Sequence, residues 1–194
     1  MKTKRKGFVE PIEWEKLQLA LGLLESRGRM RDWFMIKTGL NLGLRSCDWL
    51  DMKLGDLRRL QPDETLWLTE QKTGKRISVV VNDGFYQGAQ RFLETLQDRP
   101  DDEFVFKSKK GRNARISRQH AWYLLKEIAR EVGTERNIGL HSLRKSFAHH
   151  GVLRFGIKVE VVSEALNHSS PRITRNYACI PEETVQDARK RINF

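Results

Sequence analysis

Trp14, Leu17, Leu21 and Leu24 recur at helical spacing through EPIEWEKLQLALGLLESRG, with Pro11 suited to a first helical position and Gly28 closing the segment. A second helix is expected from about Met30 to Leu40, ending near Gly39 or Gly43. SCDWLDMKL reads as a short third helix with Ser46 as its N-cap. The period then changes. ETLWLTE and RISVVVN alternate or run apolar with β-branched residues, and QKTGK lies between them, where Gly74 offers the positive φ of a tight turn. This predicts a β-hairpin, with DLRRL a candidate further strand. Helical patterns resume in DGFYQGAQRFLETLQ, SRQHAWYLLKEIAREVG, GLHSLRKSFAHHG and KVEVVSEALN, the last with a buried stripe of Val159, Val162 and Leu166. Asn167 can take the left-handed conformation that ends a helix, and Ser170-Pro171 supplies the start of another, which carries Tyr177. The pattern therefore predicts a mainly α chain with a small antiparallel β-sheet, an α+β domain over 10–180. A basic leader (1–9) precedes it and a polar tail of moderate helical tendency (181–194) follows.

Hydrophobic residues make up 39% of the 194, which suits one folded domain and excludes a disordered chain. No run of about 18 apolar residues exists to span a membrane, and MKTKRKG leads into no apolar signal region, so a cytoplasmic protein is expected. Cys47 and Cys179 stand far apart without CxxC or Cys/His ligand spacing, which fits a reducing compartment and argues against structural zinc. Charge changes the picture more. Lys and Arg number 36 against 25 Asp and Glu, a formal net charge of +11. Such a surface points first to a polyanion, usually nucleic acid, although a solvated basic face gives the same count.

Candidate chemistry concentrates in GLHSLRKSFAHHG, where Leu140, Leu143 and Phe147 form an apolar stripe and His141, Arg144 and Lys145 share a neighbouring face. Arg presents a planar fork that matches phosphate oxygens, and His can donate a hydrogen bond or shuttle a proton. A solvated face with a packed histidine is the bland alternative, and His150, seven residues after Leu143, fits a structural role. Arg45 sits at a helix start, where free N–H groups already favour anions, with Asp48 three residues on to brace that start or hold Arg45. Lys72, at the hairpin tip, could deliver a proton or serve only solubility. Tyr177 follows His168 by nine residues, and a tyrosine needs cationic neighbours to become a nucleophile. PDDEF (Asp101, Asp102, Glu103) is contiguous and fits a turn before a strand, since two-metal nucleases need carboxylates converging from separate elements. Serine and cysteine hydrolase motifs and Gly-rich phosphate loops are absent.

Taken in order, the Arg of GLRSCDWL, the Lys of the KTGK hairpin, the HxxR of HSLRKSF and the His and Tyr of LNHSSPRITRNY resemble the tyrosine recombinases, the phage integrase family. The likeness runs from about residue 10 to residue 180. It implies a tyrosine recombinase catalytic domain, with Arg45 and Arg144 as phosphate-binding arginines, Lys72 as the hairpin lysine, His141 and His168 as active-site histidines and Tyr177 as the nucleophile. Asp48 matches the acidic residue that usually follows the first arginine. The implied activity is site-specific recombination through a 3′-phosphotyrosyl link, without metal, ATP or other cofactor, in integration or another rearrangement of a mobile element. The implied partners are double-stranded DNA with a specific recombination site, a homotetramer in the synaptic complex, and accessory DNA-bending proteins. Asn167 stands where the family usually has glycine, and Lys145 replaces a histidine that often follows the second arginine. The family's amino-terminal DNA-clamping domain has no counterpart here, as in a catalytic fragment or a small single-domain recombinase. The tail would dock on a neighbouring protomer or pack on its own domain. A type IB topoisomerase and a non-catalytic DNA-binding regulator are the alternatives to a recombinase.

Overall fold

The computed structural model describes residues 8–72 and 74–191. Its centre is α2 (Met30–Leu42), whose Trp33, Phe34, Met35 and Ile36 are buried in succession, the pattern of a helix covered on every side. Phe34 stacks on Phe92 at 5.0 Å and on Phe85 at 5.7 Å between ring centroids. Those two rings come from α5 (Asp83–Glu94), while α1 (Trp14–Ser26) covers another side of α2 through Leu17, Leu21 and Leu24. Two short helices, α3 (Ser46–Trp49) and α4 (Leu54–Arg58), lead into the antiparallel pair β1 (Thr65–Thr69) and β2 (Arg76–Val80). Thr65 faces Val80 and Thr69 faces Arg76, and Leu66, Leu68, Ile77 and Val79 turn toward the core. Gly74 closes the connection with φ of 69°, where a side chain would be strained. The chain continues through α6 (Arg118–Glu131), α7 (Leu140–Leu153), α8 (Val159–Ala165), α9 (Pro171–Ala178) and α10 (Glu182–Arg191).

Helix α7 packs along α2 on one side and α9 on the other. A second small cluster forms there, from Ala148, Val162 and Leu166 with Phe147, Val152 and Tyr177 against it. Tyr177 is thus carried on a helix that rests on α7 and α8, apart from the main core.

Four sequence expectations differ from the structure. Pro11 does not begin a helix: the first helical residue is Trp14, because the N–H of Ile12 donates to Ser146 Oγ and its carbonyl accepts from His150 Nε2, which holds the segment extended. Ser46 is the first residue of α3 and Arg45 takes the extended N-cap conformation. DLRRL is helical, not a strand. Leu54, Leu57 and Leu60 are buried at threefold spacing, and the Asp56 carboxylate accepts from the Lys53 N–H to start the turn. Phe104, the last residue of PDDEF, makes one isolated bridge to Lys53 in place of a strand. Two of the three acids of that run are occupied: Asp101 pairs with Arg58, and Glu103 pairs with Arg99 and Lys107. The second helix stops at Gly43, one of the two ends expected for it, whose φ is 62°. Residues 1–7 of the leader and 192–194 of the tail lie outside the described residues.

Candidate active site

Gly43 ends α2 in the left-handed region, and its carbonyl accepts from Arg144 Nη1 at 3.0 Å. Arg144 Nη2 donates to the Leu166 carbonyl, 2.6 Å away at the end of α8. The guanidinium is 3% exposed and therefore joins two helix ends, with Nε lacking a partner among the described residues. Burial lowers its pKa, and the nearby Arg45 guanidinium adds to that effect; Tyr177 and Asp48 oppose it. Two residues after Gly43, Arg45 forms an ion pair with Glu70 at the end of the hairpin. Asp48 does not hold Arg45. Its Oδ1 accepts from the Gln71 N–H at 2.9 Å and ties the hairpin to α3, and its Oδ2 has no partner among the described residues.

His141 lies in the first turn of α7, with Nε2 2.5 Å from the phenolic oxygen of Tyr177. His168 follows Asn167, whose φ of 50° turns the chain out of α8 as expected. Its ring stands edge-on to Tyr177, 4.5 Å between centroids, and its Nδ1 is 2.8 Å from Thr174 Oγ1, on a fully buried threonine. His168 Nε2 is buried without a partner among the described residues. Burial lowers both imidazoles to about 4, with the Arg144 guanidinium the next cause in each case. Both are neutral near pH 7.

The structure thus brings His141, Arg144 and His168 around Tyr177, with Arg45 acting electrostatically on all three. It does not bring Lys72 there. Lys72 is exposed in the hairpin turn and contacts none of the other five among the described residues. A cleft of about 320 Å³ opens beside the group, lined by Arg45, Asp48, Glu70, Arg76, Arg144 and Asn167. Its three guanidiniums suit an anion of phosphate size. Sequence reasoning missed Glu70, Arg76 and Thr174. The position of Glu70, two residues before Lys72, is a usable signal for the first, whereas the other two are ordinary hairpin and helix residues until the fold places them.

The sequence profile of the phage integrase family matches residues 13–183. The chain belongs to that family. Among its relatives, the probable integrase/recombinase YoeC of Bacillus subtilis is 36% identical over 184 residues, which cover 94% of this chain and 96% of that one. The tyrosine recombinase XerD of Listeria innocua is 29% identical over 169 residues, 84% of this chain and 55% of the relative. The chain thus spans nearly all of the first protein and about half of the second. In fold, the family member resembles the XerA recombinase crystal structure with a TM-score of 0.74 at 15% identity, covering 100% of this chain and 68% of that one. It also resembles XerH site-specific recombinase bound to palindromic difH substrate in a post-cleavage complex, with a TM-score of 0.69 at 20% identity. That match covers 98% and 55% of the two chains. No helix among the described residues is long and apolar enough to cross a membrane.

Proposed function

We propose that this chain is a site-specific DNA recombinase in which Tyr177 attacks a DNA phosphate. The phenolic oxygen bonds to phosphorus, the bond to the 5′-oxygen breaks, and a 3′-phosphotyrosyl link and a free 5′-hydroxyl result. Neutral His141, 2.5 Å from the phenolic oxygen, accepts its proton. Arg45 and Arg144 hold the non-bridging oxygens, whose negative charge must be balanced in the transition state. His168 presents its unpartnered Nε2 as a donor to the phosphate. Lys72 protonates the departing 5′-oxygen; its place on a short hairpin tied at Glu70 and Gln71 gives it a fixed base from which to reach the bound duplex. A 5′-hydroxyl from a partner duplex reverses the step, so the energy of the phosphodiester is retained without ATP.

The contact between Tyr177 and His141, with His168 and Arg144 alongside, carries this reading. The substrate is double-stranded DNA with a specific site, recombined by a homotetramer with or without accessory DNA-bending proteins. The segment beginning at Pro181, which includes α10, docks on a neighbouring protomer. Tyr177→Phe is expected to abolish the denaturant-resistant protein–DNA adduct formed on supercoiled plasmid while leaving DNA binding within about twofold. An adduct from Tyr177→Phe would refute the assignment of the nucleophile. Relaxation of any plasmid by the wild type, without a defined site or partner duplex, would favour a type IB topoisomerase.

A further inference from the structure

A cation that the reaction above does not use lies beneath the nucleophile. Lys145 follows Arg144 on α7, is 5% exposed, and finds no carboxylate within ion-pair distance among the described residues. Its Nζ donates to the Val9 carbonyl at 2.7 Å and stands 3.5 Å from the centroid of the Phe8 ring. The same Nζ is 5.5 Å from the centroid of the Tyr177 ring. The Val9 segment is itself fixed: Glu10 N–H donates to the Asn137 carbonyl, Arg136 to Pro11, and Ile12 N–H to Ser146. A buried ammonium without a carboxylate is costly, and a methionine would fill the same space without that cost. Packing alone does not explain why a lysine is there.

We propose that Lys145 is a positioning residue of the cleavage step. Its ammonium, tethered to the Val9 carbonyl, holds positive charge against the Tyr177 ring and stabilises the negative charge that gathers on the phenol as its proton leaves. This rests on the recombinase reading, in which Tyr177 is the nucleophile. Phenolate charge spreads into the ring, so a cation about 5.5 Å from the centroid acts on it at low dielectric, where a unit charge is felt strongly. The charged and titratable groups around Lys145 are His141 and Arg144 on its own helix, Tyr177 on α9, Cys179 just beyond α9, and Glu10 in the extended segment. Arg136 lies beside Cys179. Burial lowers the Lys145 pKa, and Cys179 and Glu10 oppose that effect.

The test uses a synthetic duplex bearing the sequence that wild-type protein nicks in plasmid DNA, with the scissile bridging 5′-oxygen replaced by sulfur. A thiolate leaves without a proton, so the rate of adduct formation reads activation of the nucleophile and not the action of Lys72. Lys145→Met is expected to slow the adduct about tenfold at neutral pH and to move the acid limb of the pH–rate profile upward by about one unit. Its affinity for DNA and its melting temperature should stay at or above wild type. Lys145→Gln, which keeps a donor for the Val9 carbonyl without the charge, should behave like Lys145→Met, and Lys145→Arg should restore most of the rate. A wild-type rate and profile in either neutral variant overturns the inference. So does a loss that tracks melting temperature in all three variants, which would make the residue structural only. If the wild-type protein forms no adduct, the recombinase reading fails first, and the two failures are thereby separated.

Discussion

His141 and His168 are held uncharged by burial and by the neighbouring guanidiniums, both at about 4. The unfolded chain takes up protons at these two sites from about pH 6.5 downward, while the folded chain resists doing so until about pH 4. Their contribution to stability is therefore complete above about pH 6.5 and is lost as the pH falls toward 4. Thermal melts between pH 4 and 8 should show the midpoint dropping over that window, and His141→Gln combined with His168→Gln should flatten the drop. Thr174 acts on the site through one of these rings. A hydroxyl that donates to Nδ1 leaves the proton of His168 on Nε2, the nitrogen that lacks a partner. Thr174→Val should therefore slow adduct formation about tenfold, with Thr174→Ser restoring it and the melting temperature of the two variants alike. Equal rates for Thr174→Val and Thr174→Ser would remove Thr174 from the site.

Among the elements, the end of α2 and the turn end of the hairpin decide where the arginines point. Gly43 brings its carbonyl to Arg144 from the left-handed region, and a Cβ there would meet the Phe147 ring at 2.9 Å. Gly43→Ala should lower stability by about 1–2 kcal/mol from backbone strain alone, more with the clash, measurable by urea unfolding. It should also depress cleavage beyond what the loss of folded protein explains, because Arg144 loses one of its two carbonyl partners. The hairpin was legible in sequence because the alternation in TLWLT and RISVV and the turn glycine are local signals. DLRRL is ambiguous in sequence because five residues allow either period. The burial of Leu54, Leu57 and Leu60, which settles the matter, depends on what surrounds them. Proximity along the chain offers Asp48 either as a brace for the helix start or as a partner for Arg45. In the fold Glu70, 25 residues away, takes that guanidinium, and Asp48 turns to the backbone of Gln71.

For the whole molecule, a net charge of +11 and a cleft lined by guanidiniums fit a polyanionic substrate. Helix α10, which follows the nucleophile in the chain, is the segment that the recombinase reading docks on another copy. Removing the chain from Glu182 onward should leave adduct formation on a single duplex within about threefold of wild type, while exchange between two duplexes falls by at least about tenfold. Gel analysis of adduct and recombinant product from the same reaction would check this. Equal losses of both would place α10 in the fold of its own protomer.

The sequence by itself determined the longer helices, the hairpin and its turn, the helix exits at Gly43 and Asn167, and the order of motifs that marks the family. Each of these follows from periodicity or backbone freedom over a few neighbouring residues. Only the tertiary structure decided which polar groups meet: Glu70 with Arg45, Thr174 with His168, Lys145 with Val9 beneath Tyr177. Those pairs join residues from 6 to 136 positions apart, and burial, which makes an unpaired polar group costly, selects the partner that packing brings within reach.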